Sequence, residues 1–246
     1  MNEIKTQAIV LSSTDYKDAD KKLALFSCEF GLIFATIKGV KKPKAKLASF
    51  AQPFCFAEYL LSKNGDFFTV INASSIENFF NLTGDFDKYI VGTAMLEFCR
   101  KTVSAFDPAL ELFVLLLKAL KQLDMTSANA MAVLIKFLIE AFAVSGYKLK
   151  IDRCAKCQSF LSASDAIAYS YEKGGVVCQK CANKNEAILL TKKEQKVLLD
   201  INSCELDNIF ALAFDGRDEL VSVIGILCKQ FRLLFGEELK TIGEYL

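Results

Sequence analysis

Histidine and tryptophan are missing altogether from this chain of 246 residues. Without histidine there is no Ser-His-Asp or Cys-His pair, no HExxH hydrolase and no Cys2His2 finger. General-base work is left to Asp, Glu, Lys, Tyr or Cys, and a tightly held transition metal must rely on thiolates. Long apolar runs are missing too. Residues 110–120 are interrupted by Glu111 and Lys118, and residues 131–144 by Lys136 and Glu140. Neither stretch offers the ~18 uninterrupted apolar residues of a membrane span. Met1-Asn2-Glu3-Ile4-Lys5 does not lead into an apolar h-region, so no secretory leader is expected. No GxxxxGK[ST], GxGxxG or GxSxG occurs, and Asp215-Gly216 follows Ala213-Phe214 rather than completing a nucleotidyltransferase Lys-x-Asp-Gly. An apolar fraction of 52% with a net charge of +1 excludes a disordered chain. The expectation is a cytoplasmic, non-membrane protein that is not an enzyme.

Nine cysteines are present, and in that compartment they read as thiols or metal ligands rather than disulfides. Four of them form two Cys-x2-Cys pairs, Cys154/Cys157 and Cys178/Cys181, with twenty residues between the pairs. Each pair turns the backbone so that two sulfurs meet one ion, and four thiolates close a tetrahedral zinc shell. A redox dithiol is the competing reading, but it does not require a second pair at ribbon spacing. A shell with all four positions filled leaves none for substrate, so one structural zinc is expected. The insert reads as a ribbon, with residues 166–170 as one strand, Gly174-Gly175 as the turn and Val176-Val177 entering the second pair. Cys28, Cys55, Cys99, Cys204 and Cys228 lie in apolar stretches and are expected to be small core residues.

Hydrophobic periodicity divides the chain near residue 80. Before it come strand-length runs: Ala8 to Leu11, Leu23 to Phe26, then residues 32–37, 54–61 and 67–72, separated by turn residues. Five short strands in about 75 residues suit a Greek-key barrel of the OB type, with an SH3-like barrel as the alternative. After Asp85 the spacing becomes three and four. Asp107-Pro108 is expected to open a helix at Ala109, Ser127 to cap the next, and Gly146 to end it. Thr191 to Glu194 is a capping box. Further helices are expected at about 207–214 and 217–235, with Gly236 as the stop. The fold class is therefore an N-terminal OB-fold barrel (1–80) followed by an all-α domain (81–246) with a four-cysteine zinc-ribbon insert at about 151–185.

The balanced charge conceals an uneven distribution. No acidic residue lies between Glu29 and Glu58, while Lys38, Lys41, Lys42, Lys44 and Lys46 place five positive charges within nine residues. Gly39 and Pro43 mark this segment as a loop between strands. It is either a solvated loop or a phosphate-binding edge for nucleic acid, set beside Phe34, Phe54, Phe56 and Tyr59. Phe54 and Phe56 share one strand face and Tyr59 takes the other, so one set is core and the other a candidate stacking platform. Asp15, Asp18 and Asp20 lack the Gly and distal Glu of a calcium loop and read as a polar connection.

Taken in order, these segments resemble the RecO family. The likeness runs through Ala8-Ile9-Val10-Leu11, the Tyr16 to Asp20 turn, Gly31 to Gly39, the basic loop and Gln52-Pro53-Phe54. It is sharpest from Phe137 to Gly146-Tyr147 and on through Asp152-Arg153 into the first cysteine pair, ending with Tyr169-Ser170 and Gly174 to Cys181. The resemblance implies binding of single- and double-stranded DNA, annealing of complementary strands, and help from RecR in loading RecA onto coated single strands. It also implies docking of the acidic tail of single-stranded-DNA-binding protein on the helical domain, where Arg100, Lys101, Lys118 and Lys121 are candidate anion partners or solvated faces. The family loop often carries arginines where this one has only lysines, which lack bidentate phosphate geometry. A histidine common in the family's closing helix is absent here. A zinc- and OB-containing nucleic-acid-modifying enzyme, or a structural protein adaptor, stands as the alternative reading.

Overall fold

The computed structural model describes residues 2–65, 67–125, 129–161, 167–183, 187–214 and 216–245. Two compact units divide the chain, residues 1–89 with 96–117 and residues 90–95 with 118–246.

The first unit is built on a closed five-stranded barrel in the order β1-β2-β3-β5-β4. Its strands are β1 (Asn2–Tyr16), β2 (Asp20–Ser27), β3 (Gly31–Ile37), β4 (Cys55–Asn64) and β5 (Phe67–Asn78). All neighbours are antiparallel except β3 and β5, which run parallel with Ala35 opposite Phe68. This is the OB topology, and it removes the SH3-like alternative. Closure depends on β1, whose residues up to Ile9 pair with β4 while residues from Ala8 onward pair with β2. A bulge between Val10 and Ser12 bends the strand at the handover. Period-2 alternation fills the interior with Val10, Leu23, Leu25, Ile33, Ile37, Tyr59, Leu61 and Val70. The Tyr59 hydroxyl, buried with its ring, donates to the Phe50 carbonyl at 2.9 Å. Gly31, at φ 63°, lies so close to the 104–107 segment that a Cβ would sit 2.2 Å from the Asp107 carbonyl oxygen. Helices α1 (Phe86–Thr102) and α2 (Leu110–Met125) follow. The second starts at Leu110, one residue later than the expected opening at Ala109, and Ala109 supplies the carbonyl for its first bond, from Phe113.

In the second unit α3 (Ala130–Val144) is buried along most of its length and packs against α4 (Lys192–Ser203) and α5 (Asp218–Phe235). Its N-cap is Asn129, whose Oδ1 accepts from the Met131 amide at 3.0 Å. Ser127, expected in that role, lies outside the described residues. Gly146, at φ 89°, follows the last turn as expected, and the Tyr147 amide returns to the Phe142 carbonyl. The Thr191 capping box is complete and Gly236, at φ 70°, ends α5. The helix expected at 207–214 is instead a 3-10 turn, Leu206–Ala211. Its buried side chains, Leu206 and Ile209, are three apart, a spacing that a 3-10 turn shares with an α-helix. A four-residue turn, α6 (Lys240–Gly243), closes the chain. No helix among the described residues is long and apolar enough to cross a membrane.

Candidate functional site

All five lysines of the acid-free window are exposed, on the connection that leaves β3 at Ile37. The connection is a series of tight turns: the Lys42 amide bonds to the Gly39 carbonyl, Ala45 to Lys42, and Ala48 to Ala45. Gly39 at φ 69° and Lys44 at φ 61° supply the left-handed residues this path needs. Val40 points inward and joins the barrel core, so the lysines are displayed around an apolar anchor. The β1–β2 hairpin end fixes the segment from the side. Asp20 Oδ1 accepts from the Gly39 amide at 2.8 Å, and the Lys41 amide donates to the Ala19 carbonyl.

Asp15 on β1 forms an ion pair with Lys41, Nζ to Oδ2 2.7 Å. The Lys41 ammonium, chiefly through that hydrogen bond, holds the Asp15 carboxyl below its ordinary range. Two of the three acids read as a polar connection thus brace the lysine loop, and one offsets part of its charge. The lysine-rich segment does not reveal this partner, because Asp15 is distant in sequence and reaches the loop only through the β1–β2 pairing. Neither face of β4 is a stacking platform. Tyr59 is barrel core, while Phe54 and Phe56 are buried on the other face, Phe54 against Tyr89 at 5.9 Å and Phe56 against Phe113 at 5.8 Å between ring centroids. Phe34, by contrast, is 60% exposed. Lys101 is paired to Glu97 at 3.0 Å with both side chains largely buried, which removes it from the solvated cations.

The second site lies in the insert. Strands β6 (Ile167–Ser170) and β7 (Gly175–Cys178) form the expected hairpin, and a third strand, β8 (Ala187–Leu189), adds to the other edge of β6. Residue 166, placed at the start of β6 by the periodicity, lies outside the described residues. The sulfurs of Cys154, Cys157, Cys178 and Cys181 all lie within 4.8 Å of one another. The Cys157–Cys178 separation of 3.9 Å is close to the edge of a tetrahedron with bonds of about 2.3 Å. Backbone amides of Cys157 and Cys178 point at the Cys154 sulfur at 3.5 and 3.4 Å, as they do toward a ligating thiolate. Burial raises the Cys154 thiol, but these amides and that of Lys156 outweigh it and hold it low. The Ser159 hydroxyl brings Cys157 down to about 6, whereas Cys181, sharing a proton first with Cys178, is pushed up to about 12. Sulfurs this close repel one another as thiolates, and a bound cation is what allows all four to ionise together. The cluster therefore fits a metal ion, with no side-chain position left over for catalysis.

The ribbon has two faces. On one, Ala155, Ala168 and Val177 pack around the sulfurs; on the other, Ile167, Tyr169 and Val176 pack with Ile226 of α5. The buried Tyr169 hydroxyl donates to Gln230 Oε1 at 3.2 Å. Of the other cysteines, Cys55 and Cys99 are buried as expected, while Cys28, Cys204 and Cys228 are only partly covered.

Two family models match successive stretches of the chain. Residues 1–79 match the family model Recombination protein O N terminal, and residues 83–220 match Recombination protein O C terminal. The chain is 27% identical over 232 residues to the DNA repair protein RecO of Acetivibrio thermocellus, covering 94% of this chain and 91% of that one. It is 30% identical over 213 residues to the protein of the same description from Dehalococcoides mccartyi, covering 86% and 83%. Against that of Desulfitobacterium hafniense strain DCB-2 the identity is 33% over 187 residues, covering 76% and 67%.

Proposed function

The chain belongs to the RecO family of DNA repair proteins, and from that premise we propose that it is a non-enzymatic, cytoplasmic recombination mediator acting on DNA. It binds single- and double-stranded DNA, anneals complementary strands, and with RecR assists RecA loading on strands coated by single-stranded-DNA-binding protein, whose acidic tail docks on the helical domain. The observation that carries this reading is the exposed lysine loop on a closed OB barrel, with Lys38, Lys41, Lys42, Lys44 and Lys46 as the phosphate contacts. Annealing on such a surface requires no covalent step. Lysines neutralise the phosphates of two strands, their mutual repulsion falls, and base pairing supplies the specificity. One zinc ion, held by Cys154, Cys157, Cys178 and Cys181, supplies four-point cross-linking when bound, and the ribbon carries that brace to α5.

The test is annealing of complementary oligonucleotides coated with single-stranded-DNA-binding protein, with and without RecR. Annealing that RecR modulates is expected. Four uncompensated lysines give a slope of log K against log salt near −3 on single strands. Absence of both annealing and DNA binding at low salt overturns the reading, as does binding left unchanged by replacing Lys41, Lys42 and Lys44 together with alanine.

A further inference from the structure

The outer wall of the barrel has a covered half and a bare half. In the covered half, Phe26 and Phe56 meet the ring of Phe113 on α2, at 5.2 and 5.8 Å between centroids. The bare half is crossed by two rows of outward side chains fixed by strand register. One row runs Ser12, Ala24, Phe34, and the other Thr14, Lys22, Thr36. Because Ala35 pairs with Phe68 on the parallel β3–β5 edge, the residue before each, Phe34 and Phe67, lie side by side. Their exposures are 60% and 80%, and neither has a ring partner among the described residues.

Both phenylalanines line a groove of about 400 Å³ with Ser12, Thr14, Lys22 and Arg100. No acidic residue lines it, and neither Lys22 nor Arg100 has a carboxylate partner among the described residues. On the neighbouring flank the Lys63 ammonium lies 5.6 Å from the Phe68 ring and 5.5 Å from the half-exposed Phe106 ring. Flat apolar faces, small neighbours on the adjoining strands and cations at the margin are what an unpaired base and its phosphate require. A hydrophobic peptide would also fit the rings, but it would leave Lys22 and Arg100 without a counter-charge. Strand β3 leads from the groove toward the lysine loop, with Phe34 preceding Lys38 by four residues, about 13 Å of extended chain.

We propose that Phe34 and Phe67 form the base-stacking platform for single-stranded nucleic acid, with Lys22 and Arg100 holding the adjoining phosphates. This rests on the DNA-binding reading above and adds to it a place where bases, rather than the backbone, are held. The lysine loop then sets the salt dependence, and the phenylalanine pair sets the preference for unpaired over paired strands, because bases in a duplex have no free face to offer.

The chain's lack of tryptophan supplies the assay. Phe34→Trp gives it one indole, which can be excited apart from the tyrosines. Titration with an oligothymidylate of about 16 nucleotides is expected to quench that indole, and the matching duplex is expected to quench it far less. Phe34→Ala and Phe67→Ala are expected to weaken oligothymidylate binding by about 5- to 100-fold each while leaving the salt slope unchanged. Both side chains are largely exposed, so folding is preserved, and circular dichroism verifies it. If the oligomer binds in a lysine-loop-dependent way but the indole is unquenched and the alanine variants bind normally, the platform is overturned and the DNA-binding reading survives. If the wild-type chain binds no oligomer at low salt, both fall. Quenching by an acidic peptide but not by the oligomer overturns the platform and marks a protein-docking groove.

Discussion

Replacing Asp15 with asparagine is the sharpest test of how the lysine loop works. The Asp15 carboxylate lies 2.7 Å from the Lys41 ammonium, and the two side chains are 63% and 36% exposed. At such exposure the pair adds little to stability, so its main effect is to cancel one of the loop's charges. Asp15→Asn keeps a polar side chain of the same size and releases Lys41 for a phosphate. One more phosphate contact on single-stranded DNA enlarges the slope of log K against log salt by about 0.7. With the affinity extrapolated to 1 M unchanged, that is roughly fivefold tighter binding at 0.1 M salt and about twenty-fivefold at 0.01 M. The assay is fluorescence anisotropy of a labelled oligothymidylate across that salt range, on wild type, Asp15→Asn, Lys41→Ala and the double variant. Lys41→Ala alone should change the slope less than Lys42→Ala, since its charge is already spoken for. Because Lys41 holds the Asp15 carboxyl below its ordinary range, no pH change near neutrality mimics the substitution. An unchanged slope in Asp15→Asn, or a gain that persists when Lys41 is also replaced, refutes the argument.

Four further outcomes follow from the second unit. Purified protein should contain about one zinc per chain by elemental analysis, and Cys154→Ser or a strong chelator should remove it and expose the insert to protease; metal-free protein with an intact insert would contradict the cross-linking role. Gly175→Ala should cost about 3 kcal/mol in chemical denaturation, because a Cβ there would sit 2.2 Å from the Lys150 carbonyl oxygen, whereas Gly174→Ala, with open space but φ 61°, should cost about 1 kcal/mol. Thr191→Ala should cost about 1 kcal/mol through the lost cap. Its partner Glu194 is raised by burial but lowered more by donors from Ser222 and Thr191, leaving its carboxyl below the ordinary 4.5. A depressed carboxylate stabilises above its unfolded value and loses that contribution as pH falls through the folded one, so Glu194→Gln should flatten the acid side of the stability–pH curve below about 4.5.

Much of this architecture is legible in the chain because it is written in short-range patterns. Alternation marked the five strands, Thr191 to Glu194 marked a helix start, Gly146 and Gly236 marked stops, and two Cys-x2-Cys pairs marked the metal cluster. What escaped depends on partners far away in sequence. Strand β8 has only three residues, two of them exposed, and exists because β6 offers it an edge. The burial of Phe54 and Phe56 comes from Tyr89 and Phe113, which strand periodicity cannot see. Phe34 was visible as an aromatic near the basic loop, but its pairing with Phe67 needed the parallel β3–β5 register. The 3-10 turn at 206–211 was read as α because two buried residues three apart satisfy both periods.

The long first strand has a consequence for how the chain is made. Its opening residues bond to β4, with Glu3 opposite Ser62 and Ile9 opposite Phe56, so the seam cannot close until about sixty residues have left the ribosome. During synthesis that half of β1 is an open edge, while its other half can already zip to β2 as a hairpin. The order of assembly is therefore set by sequence separation, hairpin first and seam last. Deleting the first six residues would leave the hairpin intact and expose the edge of β4, turning a closed barrel wall into a template for strand exchange between copies.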